Sequence, residues 1–260
     1  MITSRDNPRV KRWAKLAQDP RLRRKERRAL IEGPHLVALA EPLVLLASES
    51  GLKRKEIQDL LAGREAIVMA DRVFKAIAEA DTPQGIAAEI EIPEPGAPVA
   101  PAVFLEGVQD PGNVGTILRS AAAFGVKAAV LDGACADAWS PKVLRAGMGA
   151  HFTLSIQETD DLRDAIGNFA GRVLCAVPRG GLNLAEANLS GPIGWLFGAE
   201  GAGVSSGLQT IAAQRVTLPM APGTESINVG AAAAIFFYAA FCAESPPWQG
   251  GSELASGGCR

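Results

Sequence analysis

Apolar runs of four to six residues recur through the second half of the chain, each followed by a polar or glycine-containing break and then by residues with helical spacing. The runs are Ala102–Gly107, Ala128–Leu131, Arg172–Ala176, Gly194–Phe197 and Arg215–Leu218, with Phe152–Ile156 as a further strand. Short, near-continuous apolar runs bounded by turn residues read as strands buried on both faces. Between them Thr116–Phe124, Lys142–Ala146 and Leu162–Phe169 read as helices, and Gly125 stands where a helix commonly stops. Val108–Gly115 reads as the polar loop that joins the first strand to its helix. The long helix is expected to begin near Ser226, and its apolar stretch Val229–Phe241 reads as buried; it is shorter than the roughly 18 residues that argue for a membrane span. Strands alternating with helices predict an α/β fold with a mostly parallel sheet and helices on both faces. Ligands of such sheets bind beyond the carboxyl ends of the strands.

The first 92 residues mix shorter elements. Residues 8–29 read as a charged helical arm, Leu30–Glu32 and Leu43–Ala47 as strands, and Lys53–Ala62 as a helix. Ala66–Met69 follows as a strand, Val73–Ala80 as a helix, and Asp81–Gly85 as a turn into the strand Ile86–Ile90. Glu91–Pro101 carries four prolines in eleven residues, which excludes a continuous helix or central strand. The expected division is a small α/β domain over 1–92, a linker over 93–101, a second domain over 102–243 and a disordered tail over 244–260, rich in Ser, Gly and Pro.

Composition adds little until it is read by position. With 48% hydrophobic and 21% charged residues the chain is ordinary globular material, long enough to bury a core without staples. The net charge of -2 conceals an asymmetry: residues 1–28 carry eleven Lys or Arg against three Asp or Glu. Such an arm is either a solvated basic face or a surface for RNA or another polyanion. Cysteines stand at 135, 175, 242 and 259, with no CxxC pair, so neither a metal site nor a disulfide framework is expected and a reduced, cytoplasmic setting fits. Cys175 and Cys242 are expected as buried packing residues, as are Trp139 and Trp195, and His35 and His151 have no partner at metal or triad spacing.

Three segments carry chemistry beyond this plan. The first runs Asn113-Val-Gly-Thr-Ile-Leu-Arg-Ser-Ala-Ala-Ala-Phe-Gly125 and places Arg119 on a mostly apolar helix. A guanidinium there either snorkels to solvent or faces a polar cleft. The second, Phe197-Gly-Ala-Glu-Gly-Ala-Gly203, is a strand entering a glycine-rich loop with one carboxylate, Glu200. Its spacing is neither GxGxxG nor a P-loop, so it is an ordinary tight turn or a loop that lets a ligand approach bare backbone. The third, Leu218-Pro-Met-Ala-Pro-Gly-Thr-Glu-Ser-Ile-Asn-Val229, leads into the long helix. Ser226 suits an N-cap, but capping leaves Asn228 unexplained. A nucleotide-dependent oxidoreductase would need GxGxxG after its first strand, and QDPGNVG stands there instead.

Taken together and in this order, the three segments resemble the SpoU/TrmH family of SPOUT-class RNA methyltransferases. The match spans about Val103 to Phe241 and departs from the family pattern at Ile227, for Leu, and Gly230, for Ser. Ser4–Lys11, Ile31–His35 and Pro83–Gly85 resemble more loosely the RNA-binding domain that many members carry, related in shape to ribosomal protein L30e.

The resemblance implies a C-terminal trefoil knot and S-adenosyl-L-methionine as methyl donor. It implies transfer to a ribose 2′-hydroxyl, in ribosomal RNA rather than transfer RNA. A transfer-RNA enzyme, or a non-catalytic RNA-binding protein of the same fold, is the alternative. Carried over by position, the donor meets Ala176, Gly198, Leu218, Met220, Ile227 and Asn228. Arg119 assists loss of the hydroxyl proton, and Asn113, Glu200, Ser226 and Asn228 position the reactants. Arg9, Lys11, Arg24 and Arg28 of the arm are the expected phosphate contacts. The family forms homodimers, for which the helices Val229–Phe241 and Thr116–Phe124 are candidate faces. No membrane and no metal partner is expected.

Overall fold

The computed structural model describes residues 1–244, and the expected disordered tail and Cys259 lie outside them apart from Glu244. The basic arm is two helices, α1 (Pro8–Gln18) and α2 (Pro20–Glu26), rather than one. Pro20 cannot continue α1, and Asp19 turns the corner by accepting from the Arg21 and Leu22 amides at the start of α2. The arm is docked. Val10, Trp13 and Leu16 form the buried stripe of α1, and the Trp13 indole donates to Glu89 at 2.7 Å while Arg12 donates to both Glu89 oxygens at 2.8 Å. Burial pushes the Glu89 carboxyl up, but the Arg12 and Trp13 hydrogen bonds outweigh it and hold the group below the usual carboxylate range.

The N-terminal sheet follows: β1 (Arg28–Glu32), α3 (Pro34–Leu39), β2 (Val44–Ser48), α4 (Lys55–Leu61), β3 (Ala66–Met69), α5 (Asp71–Phe74) and β4 (Ile86–Glu91). Its strand order is β1-β4-β2-β3. β4 runs antiparallel to both neighbours, and β2 and β3 are parallel. α5 replaces the expected helix Val73–Ala80: Asp71 opens it two residues earlier, and the chain leaves the helix after Phe74 in successive turns.

The second half forms β5 (Ala102–Glu106), α6 (Pro111–Ala123), β6 (Ala128–Asp132), α7 (Pro141–Gly147), β7 (Ser155–Thr159), α8 (Leu162–Gly167), β8 (Arg172–Ala176), β9 (Leu182–Asn183), β10 (Ile193–Gly198), α9 (Ser206–Gln209), β11 (Gln214–Thr217) and α10 (Val229–Glu244). Its seven strands are ordered β7-β6-β5-β10-β8-β11-β9, and every pairing is parallel. The strand expected at Phe152–Ile156 starts at Ser155, because residues 150–152 form a helical turn first. The core is continuous between the two sheets, with α7 packed against β1. Arg23 of α2, only 3% exposed, crosses the same boundary to Asp137.

Two expectations about the long helix are corrected. α10 begins at Val229, not near Ser226, and it is not buried all round. Gly230, Ala233, Phe236 and Phe237 face the core, while Ile235, Tyr238 and Phe241 are 41%, 56% and 44% exposed. Cys242 lies on that outer face and is exposed, against the expectation of burial, whereas Cys175, Trp139 and Trp195 are buried as expected. The apolar character of α10 therefore serves two surfaces, one of which is only partly covered among the described residues.

Candidate active site

Strand order brings together the ends of the three segments that the sequence singles out. β10, β8 and β11 are adjacent, and a cleft of about 440 Å³ opens at their carboxyl ends. That size suits a small-molecule site, and the place is the one open parallel sheets favour. Ala176, Gly198, Leu218, Met220, Ile227 and Asn228 all line it, together with Glu200 and Ser226. Phe197, Val229 and Phe236 complete an apolar wall that residue-by-residue reading missed. For Phe197 and Val229 the signal was positional, since each stands at a strand or helix end that the sequence marks; Phe236, in the middle of α10, had none. Phe236 is fixed edge-on between Trp195 and Phe197, with ring centroids 4.9 and 5.7 Å away.

The glycine loop after β10 makes the cleft's floor. A Cβ on Gly198 would lie 2.2 Å from the Gly203 carbonyl carbon, so the loop's backbone folds over Gly198 only because it has no side chain. Gly201 and Gly203 take φ of +86° and +67°, and the Gly203 amide closes the turn on the Ala199 carbonyl at 2.8 Å. Glu106, at the end of β5, accepts from the Ser205 amide at 2.7 Å and pins the far side of the loop. Sequence reading passed over that carboxylate because its partner lies 99 positions away.

Asn113 is not at the end of a loop. Asp110 accepts from the Asn113 amide at 2.9 Å and Pro111 starts the helix, so α6 begins five residues before the expected Thr116. Asn113 thus lies in the first turn with its side chain over the cleft rim. Its amide nitrogen donates to Glu200 at 2.6 Å, and its oxygen accepts from Asn228 at 2.8 Å. Asn228 also donates to Glu200, at 3.2 Å, which closes a polar triangle contributed by all three segments. The cap of α10 is Asn228 rather than Ser226: its oxygen accepts from the Gly230 and Ala231 amides at 2.9 and 3.2 Å.

Arg119 is elsewhere. It lies on the exposed stripe of α6, six residues past Asn113 and about 9 Å further along the axis. It is not part of the cleft wall. The arm candidates divide. Arg24 pairs with Glu158 and Arg28 with Glu91, Lys11 pairs with Asp6, and Arg9 is exposed with its guanidinium 5.1 Å above the Trp13 ring. Among the described residues no group of three His, Cys, Asp or Glu could hold a metal, and no helix is long and apolar enough to cross a membrane.

Residues 100–238 match the SpoU rRNA Methylase family. The chain belongs to that family. Residues 7–88 match the MRM3-like substrate binding domain. The SpoU chain is 34% identical to the 23S rRNA (guanosine(2553)-2′-O)-methyltransferase RlmP of Bacillus subtilis, over 91% of this chain and 97% of the relative. It superposes on a solved RNA 2′-O ribose methyltransferase with a TM-score of 0.77 at 30% identity, over 93% of this chain and 98% of the other. An AdoMet-bound rRNA methyltransferase from Sinorhizobium meliloti gives 0.76 at 28%, over 92% and 96%. The fold is that of these SpoU proteins.

Proposed function

We propose that this SpoU chain transfers the methyl group of S-adenosyl-L-methionine to a ribose 2′-hydroxyl of ribosomal RNA. The observation that carries the reading is the polar triangle Asn113–Glu200–Asn228 on the rim of an apolar cleft walled with bare backbone. The names of the relatives, RlmP among them, favour ribosomal over transfer RNA. The cleft fits the donor's chemistry: Leu218, Ile227 and Phe236 offer apolar surface to an adenine ring, and Gly198 leaves backbone within reach of its edge. Bound there, the donor supplies an electrophilic methyl on a sulfonium centre, itself a good leaving group.

The protein's own part is positioning and charge. Backbone groups at Gly198, Leu218, Met220 and Asn228 hold the donor. Glu200 and Asn228, each fixed by the other and by Asn113, orient the ribose for in-line attack, and Ser226 adds a hydroxyl to the same rim. The Arg119 guanidinium offers hydrogen-bond donors and no acceptor, so it does not take the proton itself. It stabilises the developing alkoxide and orients the adjacent phosphate of the RNA, which accepts the hydroxyl proton as the methyl group leaves the sulfonium. Its exposure outside the cleft suits a group that meets RNA rather than the donor.

The domain division at 93–101, the trefoil knot and a cytoplasmic setting belong to the same reading. So does a homodimer, for which the apolar stripe Ile235–Tyr238–Phe241 of α10, exposed among the described residues, is the face. Tritiated methyl transfer to ribosomal RNA from a strain lacking the gene, followed by mapping of the methylated ribose, tests the activity. No incorporation by protein that binds the donor would reject it. A monomer by light scattering at micromolar concentration would reject the dimer.

A further inference from the structure

Folding redistributes the charge of the N-terminal arm. Lys11, Arg12, Lys15, Arg23, Arg24, Arg27 and Arg28 are all spent on carboxylates. Five arginines of the same domain, Arg5, Arg9, Arg21, Arg64 and Arg72, make no ion pair among the described residues, and all but Arg21, which is on α2, lie along β3, the edge strand of the N-terminal sheet. Arg64 stands just before β3, Arg72 just after it, and Arg9 shares a cavity with Arg64. Arg5 follows Ile2, which bridges to Met69 and so extends that edge. Arg5 donates to the Arg72 carbonyl and Arg72 to the Thr3 carbonyl, each at 3.1 Å, so two exposed guanidiniums are held together with no carboxylate on either. Arg9 is held over Trp13 and Arg64 donates to the Leu60 carbonyl. Each head group is anchored through backbone or ring contacts, with donor groups left for a ligand.

The cavity between Arg9 and Arg64 measures about 520 Å³ and is lined by Pro42, Leu43, Val44, Leu45 and Ile67, with one carboxylate, Glu65, beside Arg64. Leu43, a large apolar side chain in that lining, is 50% exposed. An apolar floor flanked by two cations, with two more cations along one edge, carries a net positive charge even with Glu65 in the lining and is complementary to an unpaired base and the phosphates that follow it.

We propose that the β3 edge is a track for single-stranded RNA, with Arg64, Arg9, Arg5 and Arg72 on successive phosphates and one base seated on Leu43 and Ile67. It rests on the RNA-methyltransferase reading and locates substrate contacts that the paired arm residues Arg24 and Arg28 are not free to make. The cleft that holds the methyl donor is separate from it.

The test is fluorescence anisotropy of the full chain with a labelled 20-nucleotide oligouridine across a salt series. Arg64→Gln and Arg72→Gln, singly and combined with Arg5→Gln and Arg9→Gln, are compared with Lys55→Gln and Lys127→Gln, exposed charges elsewhere. Each neutralised contact is expected to weaken binding several-fold and to lower the salt slope by about 0.7, the value for single strands. The Lys controls should change neither. Leu43→Asp, at the same salt, is expected to weaken the single strand by more than a duplex of equal length. A quadruple variant with native circular dichroism that keeps wild-type affinity and slope would overturn the track. Wild-type protein that takes up the methyl donor yet binds neither oligouridine nor ribosomal RNA would instead overturn the reading beneath it, and the track with it.

Discussion

Asn228 joins Asn113 across 115 positions of sequence, donating to its side-chain oxygen at 2.8 Å. The same Asn228 side chain caps α10 through its own oxygen. One residue therefore couples the start of the long helix to the geometry of the rim, and the two roles use different atoms. Asn228→Ala loses both, and is expected to cost about 1 kcal/mol of stability for the cap and most of the methyl-transfer rate. Asn228→Asp keeps a capping oxygen but replaces the donor with a second carboxylate beside Glu200. It should keep a melting temperature near wild type while transfer falls as far as in the Ala variant. Thermal melts paired with tritium incorporation separate the outcomes, and an active Asp variant would show that the triangle is not needed.

Arg119 is exposed and outside the cleft, so its removal should not touch the methyl donor. Arg119→Ala is expected to bind S-adenosyl-L-methionine as the wild type does by calorimetry, yet to lose at least a hundredfold in single-turnover transfer. Arg119→Lys keeps charge without the planar fork and should recover only part of it. Weakened donor binding, or wild-type turnover in the Ala variant, would remove Arg119 from the chemistry.

The parallel sheet and the cleft were legible because both rest on local signals. Apolar runs mark β5, β6, β8, β10 and β11 to within a residue or two, and Gly198, Glu200 and Asn228 stand at their ends or at the start of α10. What was not legible depends on partners distant in sequence. A loop through Asn113 is a reasonable reading of Asp-Pro-Gly, yet the same residues supply a cap and a proline at the first helical position, and α6 starts there instead. The basic arm looked free because Glu89, Asp137 and Glu158, which neutralise it, lie 77, 114 and 134 positions beyond Arg12, Arg23 and Arg24 in the numbering. The outer face of α10 looked buried because its residues are as apolar as those that face the core, and composition does not tell the two faces apart.

Arg23 is the sharpest of those distant partners. It donates to Asp137 at 2.9 Å with side-chain exposures of 3% and 12%, and Asp137 also accepts from the Trp139 amide. A buried pair adds little over well-packed apolar residues, but breaking it strands a charge. Arg23→Ala should therefore cost about 3–5 kcal/mol, and Arg23→Met combined with Asp137→Asn much less than the sum of the single changes. Urea unfolding of the four proteins measures the coupling. Additive effects would mean that the pair does not tie α2 to the second half of the chain.

His151 should give the protein an acid limit of its own. It is 2% exposed, and its Nε2 lies 2.7 Å from the Ala138 carbonyl, which can only accept, so Nε2 carries the proton and Nδ1 has no partner among the described residues. Burial pushes its pKa down to about 4. The unfolded chain, titrating near 6.5, then binds more protons than the native state throughout the window between those values. Stability from the neutral imidazole is present above pH 6.5 and is lost as pH falls toward 4, by an amount on the order of 3 kcal/mol. Glu158 works in the opposite sense: burial, then Asp137, raises its pKa, so its protonation on acidification favours the native state. A raw pH profile mixes the two, and the informative quantity is the difference between wild type and His151→Gln. The variant should be less stable at pH 7.5, where it has lost a buried hydrogen bond, and should close that gap or reverse it by pH 4.5. Parallel urea midpoints for the two proteins across that range would mean that His151 does not titrate on unfolding.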